Sequence, residues 1–149
     1  MSADLEWIDD IVAMMGTINA GAGSVTSYKI GEWPGQISTF PASISYVSNG
    51  GWEYSLGGPT LGFYEGFTEL HLAAGKDSRV WDTARLYVPR VFAAFCADFT
   101  LGGKVEHFLL KPPPEAFRMT FFNYGDGESS GLTFSWRVKV NETGLYTIG

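Results

Sequence analysis

The sequence predicts an α+β domain: a mixed or antiparallel sheet with two helices packed on one face and a terminal β-hairpin. Three observations carry this expectation. Val80, Trp81, Ala84, Val88, Val91, Phe92, Phe95 and Phe99 recur at spacings of three and four, which places them on one apolar face of a 3.6-residue helix. Leu132, Phe134, Trp136, Val138 and Val140 alternate with Thr133, Ser135, Arg137, Lys139 and Asn141, giving a strand with one buried and one wet face. Between them, Thr100-Leu-Gly-Gly-Lys-Val105 joins helix to sheet through a glycine pair suited to the positive φ that closes a helix.

In chain order, residues 2–19 read as a helix, with Leu5, Ile8, Ile11, Val12, Met15 and Ile18 on one side. Asp4, Glu6, Asp9 and Asp10 sit near the positive end of its dipole, which explains them without a metal or acid/base cluster. Gly21-Ala-Gly-Ser24 ends the helix. It is no phosphate cradle, because no Gly-Lys-Ser/Thr follows. Residues 25–30 suggest a short strand, Trp33-Pro-Gly-Gln36 a turn, and 42–47 another strand. Asn49-Gly50-Gly51 predicts a hairpin turn pairing 44–48 with 52–56, and Gly57-Gly-Pro59 a second turn before a long strand at 61–73. The helix at 78–99 has Asp77 or Ser78 to cap it, and Pro89 should kink it without stopping it. A strand at 104–110 leads into Lys111-Pro-Pro-Pro-Glu115, which forbids ladder bonds and forces an edge connection. Residues 116–124 and 132–140 then form a hairpin around a seven-residue polar loop.

At 149 residues the chain fits a single domain, 1–149, able to bury a core without staples. Its one cysteine, Cys96, excludes an internal disulfide and reads as a small buried hydrophobe. No run reaches the roughly 18 apolar residues of a membrane span, and the acidic N-terminus lacks the basic start of an export signal. A soluble, unexported protein without membrane contact is expected. The net charge of −6, with no stripe of Lys or Arg, disfavours adhesion to nucleic-acid phosphates and would let a duplex slide past. No nucleophile beside a base, paired carboxylates or metal spacing appears, so neither catalysis nor a cofactor is expected. His71 and His107 fall in strands and read as hydrogen-bonded structural residues. Asp126 and Glu128 resemble half a calcium site, but the downstream ligands are missing and a solvated hairpin tip suffices.

The element order, together with Leu70-His-Leu72, Tyr87-Val-Pro89, Asp98-Phe-Thr-Leu-Gly-Gly-Lys-Val105 and Gly131-Leu-Thr-Phe-Ser-Trp-Arg-Val138, resembles the tail terminator and neck proteins of tailed bacteriophages over roughly residues 4–142. That resemblance implies a structural virion protein at the tail–neck junction, assembled in the host cytoplasm. It implies a homo-oligomeric ring, often a hexamer, that caps the tail tube protein, stops its polymerisation and offers a surface to the head-completion or connector protein. DNA would pass through the lumen without specific binding. The loops at 49–62 and 125–131 are the candidate partner interfaces, carrying Trp52, Tyr54, Tyr64, Asp126 and Glu128. A head-completion protein sealing the portal is the alternative, and a β-rich ligand-binding module a third. Trp52→Ala should spare folding and weaken assembly, whereas Trp136→Ala should cost roughly 3 to 5 kcal/mol of stability.

Overall fold

A computed structural model describes residues 5–32, 37, 39–54, 56–124 and 127–143. The expected turn at 33–36 and the first residues of the expected N-terminal helix lie outside them. The chain forms α1 (Trp7–Met15), β1 (Thr26–Lys29), β2 (Ala42–Tyr54), β3 (Thr60–Ala74), α2 (Trp81–Ala97), β4 (His107–Leu110), β5 (Phe117–Tyr124) and β6 (Gly127–Asn141). These strands make one open, mixed six-stranded sheet in the order β1-β2-β3-β6. β4 and β5 border β6 in succession, β5 along its first half and β4 along its second. Among the described residues only the β1–β2 pairing is parallel.

Both helices cover the same sheet face. Trp7, Ile11 and Met15 of α1 and Ala84, Tyr87, Val91 and Phe95 of α2 join Leu132, Phe134, Trp136, Val138 and Val140 in one buried cluster. Trp136 lies at its centre, fully buried, with Trp7 and Phe108 meeting its ring edge-on at centroid distances of 5.9 and 5.5 Å. Its cross-strand partner is Gly66, and only a glycine leaves room: an added Cβ would lie 2.4 Å from the indole and 2.3 Å from the Tyr46 carbonyl oxygen. Two ion pairs fix α1 from outside, Lys29–Asp9 at 3.2 Å and Lys104–Asp10 at 2.8 Å, so two of the N-terminal acids act as tethers.

The sheet departs from expectation at two polar stretches. Asn49-Gly50-Gly51 is not a turn, because β2 runs through it to Tyr54 and pairs with β3 along its length. The hairpin turns at the Gly57 stretch, the second of the two expected turns, where Gly57 has φ of 74°. The glycines serve close approach: a Cβ at Gly50 would sit 2.7 Å from both the Phe63 carbonyl oxygen and the Tyr64 ring. A bulge between Val47 and Asn49 leaves Ser48 unpaired and changes which side chains face the helices. Ser43 and Ser45 do so before it, Trp52 and Tyr54 after it. The expected seven-residue loop at 125–131 is likewise mostly strand, since β6 begins at Gly127, which pairs with Tyr124. Ser129, Ser130 and Gly131 are buried, and a Cβ at Gly131 would meet the Leu70 carbonyl oxygen at 1.8 Å.

The helices also differ in detail. α2 runs through Pro89, but its buried stripe includes Tyr87, while Trp81, Phe92 and Phe99 are exposed. Asp77 accepts from the Arg79 N–H ahead of a 3-10 turn at Ser78–Val80, and the helix ends at Ala97. The reversal into β4 uses three left-handed residues, Leu101, Gly102 and Gly103, with Leu101 fully buried. The Val105 N–H closes this turn on the Thr100 carbonyl. β4 is shorter than expected, starting at His107.

Overpacking of a close-packed strand pair costs roughly 1–3 kcal/mol or more. Gly131→Ala is therefore expected to lower unfolding stability in urea by about 3 kcal/mol. Gly51→Ala, where nothing lies within 4 Å of the added carbon, should stay within about 0.5 kcal/mol of the parent. Equal losses in the two variants would refute this account of the glycines.

Candidate interface surfaces

The β2–β3 hairpin projects beyond the helices, and its tip carries large exposed apolar side chains. Trp52 is 59% exposed, Tyr54 76%, and Leu56 fully so. Trp52 is nevertheless oriented, because its indole N–H donates to Glu142 Oε2 at 2.9 Å. The other carboxylate oxygen of Glu142 accepts from the Tyr64 hydroxyl at 2.6 Å, and Glu142 is only 2% exposed. Burying a carboxylate is costly unless its oxygens are bonded, so Trp52 and Tyr64 together hold the end of β6 against the hairpin.

Tyr64 itself must be reassigned. It is 5% exposed, packs against Trp7 at 5.6 Å and rests on the bare backbones of Gly50 and Gly62. It belongs to the domain's own core, although its place in sequence close to the turn suggests exposure. Glu128 is exposed at the opposite end of β6, and Asp126 lies outside the described residues. The candidate residues therefore do not form one patch: Trp52 and Tyr54 share the hairpin tip, and Glu128 is remote from them.

A second apolar surface lies on β5, where the sequence analysis places no interface. Phe117, Met119 and Phe121 of β5 point to the helix-bearing side but extend past the helices into solvent. Beside them, a hollow of about 350 Å³ opens between α2 and the β4–β5 connection, lined by Phe92, Phe95, Cys96, Phe108 and Pro112. Cys96 is exposed there, not buried as expected. The alternation of Phe117, Met119 and Phe121 with Arg118 and Thr120 was the available signal. It marks a two-sided strand, and only the reach of the helices decides that its apolar side is uncovered.

The opposite sheet face holds a buried polar cluster. Glu69 accepts from the Tyr46 hydroxyl at 2.6 Å and from the Tyr124 hydroxyl in a very short bond, while His71 Nε2 lies 3.3 Å from Glu69 Oε1. His71 Nδ1 meets Ser129 Oγ, again at very short range. Ser, His and Glu in a row have the residue types of an acyl-transfer triad, but the arrangement serves cohesion. Ser129 is buried within a strand, Phe122 stacks on the His71 ring at 4.0 Å, and both Glu69 oxygens are taken by phenols. The cluster ties β2, β3, β5 and β6 together.

Its electrostatics follow from that role. Burial works to raise the Glu69 pKa, but hydrogen bonds from His71, Tyr124 and Tyr46 outweigh it and hold the carboxyl below its usual value. Burial, followed by the bond to Glu69, pushes the Tyr46 and Tyr124 phenols well up. A carboxyl with a depressed folded pKa contributes stability above its unfolded pKa and loses it as pH falls through the folded value. Stability should thus fall as pH drops below about 4.5, the ordinary value for Glu69. Glu69→Gln is expected to cost about 2 kcal/mol at neutral pH and to flatten that acid limb. Urea midpoints measured across acid pH check this, and a limb equally steep in the variant would contradict it.

Among the described residues no group of three or more His, Cys, Asp or Glu could hold a metal ion. No helix among them is long and apolar enough to cross a membrane. Comparison of the chain with models of known protein families and with curated protein sequences gives no match.

Proposed function

We propose that this chain is a non-enzymatic structural virion protein that forms a ring on the completed phage tail tube, ends tube growth and presents the surface to which the head attaches. One observation carries the reading: the subunit bears two unlike apolar surfaces at opposite corners of its sheet. Trp52, Tyr54 and Leu56 sit where β3 meets the end of β6, near Asn141, while Phe121 pairs with Ser130 near its start. Eleven residues of β6 separate the two, roughly 35 Å of strand. Large exposed apolar patches on a small domain mark interaction sites. Two dissimilar patches on one subunit favour a head-to-tail contact, which closes into a ring when the rotation permits.

The resemblance to tail terminator and neck proteins supports the same reading. Its phrases fall on β3, α2, the α2–β4 reversal and β6, the elements that build the framework. An acidic subunit also suits a ring around DNA, because a negative lumen repels the duplex and keeps it mobile. Six copies and contacts with the tube and connector proteins come from the resemblance alone.

Electron microscopy of lysates from a producer virus lacking this gene tests the proposal. Overlong or irregular tubes beside DNA-filled, unattached heads are expected. Normal-length tails beside empty heads would move the assignment to head completion, and intact infectious particles would overturn both. At the level of the subunit, Tyr54→Ser should leave unfolding stability within about 0.5 kcal/mol of the parent and weaken ring formation in analytical ultracentrifugation. Undiminished rings would remove the hairpin tip from the contact.

A further inference from the structure

Two long stretches of strand edge have no strand beside them among the described residues. β1 covers β2 only from Ala42 to Ser45, which leaves the rest of β2 to Tyr54 open on that side. Among the described residues β5 pairs only with β6, so no strand lies along its other edge from Phe117 to Phe121. Open edges present unpaired N–H and C=O groups that template another strand.

Direction, facing and charge match these edges to each other. β2 runs with β6 and β5 with β3, so β2 and β5 are antiparallel within the sheet. A second copy set alongside with the same face up therefore brings β5 of one copy against β2 of the next as an antiparallel pair. Beyond the bulge, Gly50, Trp52 and Tyr54 face the helix-bearing side, as do Phe117, Met119 and Phe121. Glu53 and Arg118 face the other side. Both are exposed, and neither has an ion-pair partner within 4 Å among the described residues.

We propose that the occupant of both edges is a second copy of this chain, joined through an intermolecular β2–β5 ladder. The register sets Glu53 opposite Arg118, Trp52 opposite Met119 and Tyr54 opposite Phe117. Gly50 then lies opposite Phe121, whose ring would meet the Tyr64 ring that covers this glycine. Each contact uses one β2 edge and one β5 edge, so a closed ring leaves neither open. The inference rests on the ring reading above and specifies the joint within it.

Cysteine cross-linking decides the register. In a Cys96→Ser background, Glu53→Cys and Arg118→Cys are combined, and the purified protein is treated with a short bis-maleimide and run under denaturing conditions. A ladder of covalent multimers extending to the full ring is expected. Absence of a ladder, or a band at dimer only, from protein that still sediments as a ring would overturn the β2–β5 joint and leave the ring standing. Protein that sediments as a monomer and gives no ladder would overturn both. Independently, Glu53→Arg and Arg118→Glu should each weaken self-association roughly tenfold, and the double variant should restore it. Failure of the double variant to recover would refute the pairing of these two residues.

Discussion

The fold depends on the packing of Trp136 across Gly66. These residues are direct cross-strand partners in the β3–β6 pairing, the longest in the sheet, and the indole occupies the space that any side chain at 66 would need. The same indole N–H donates to Thr68 Oγ1 at 2.9 Å, and that hydroxyl is 2.9 Å from Ser45 Oγ. One large ring is thereby tied through two small hydroxyls to β3 and β2, inside a core where an unbonded polar atom would be costly. Around it Trp7, Phe108 and Phe95 arrange α1, β4 and α2. A slip of one residue between β3 and β6 would set the indole against a side chain and break its bond to Thr68, so register and packing enforce each other.

The two sheet faces use different chemistry for cohesion. The helix-bearing face is held by apolar burial, which is strong but undirected. The other face is held near one end by the Glu69 carboxylate, shared between phenols from β2 and β5, with His71 and Ser129 completing the tie to β6. Toward the other end it is spanned by the Lys111–Glu65 and Lys139–Glu106 pairs at 2.8 and 3.2 Å. The polar ties fix strand order where no helix lies over the sheet to do so.

Much of the architecture was legible because it follows from periodicity. The alternation of β6 and the left-handed glycines of the reversal express local rules and recur in the structure, as does the stripe of α2 apart from the exposed Trp81, Phe92 and Phe99. What was illegible depended on tertiary neighbours. Asn49-Gly50-Gly51 has the composition of a turn, yet its glycines answer to the Tyr64 ring, which nothing nearby in sequence announces. Ser129-Ser130-Gly131 has loop composition but lies in the interior, because Ser130 bonds Gly75 and Asp77 and Gly131 abuts the Leu70 backbone. Of the proposed contact residues, Trp52 and Tyr54 were readable from their place on a projecting hairpin. Tyr64 was not, because burial there hangs on Trp7 and Glu142, both distant in sequence. The exposure of Phe117, Met119 and Phe121 is not legible in the sequence, because it depends on where the helices stop.

The unpaired Ser48 divides β2 into two runs of opposite parity. Side chains before it present odd-numbered positions to the helices, and those after it present even-numbered ones. Losing that single residue would join Val47 directly to Asn49 in a regular ladder opposite Gly66 and Glu65, and Trp52 and Tyr54 would keep their side. A deletion at Gly50 or Gly51 would instead bring the Asn49 side chain onto the Tyr64 ring, so the bulge is where this arm can lose a residue at least cost.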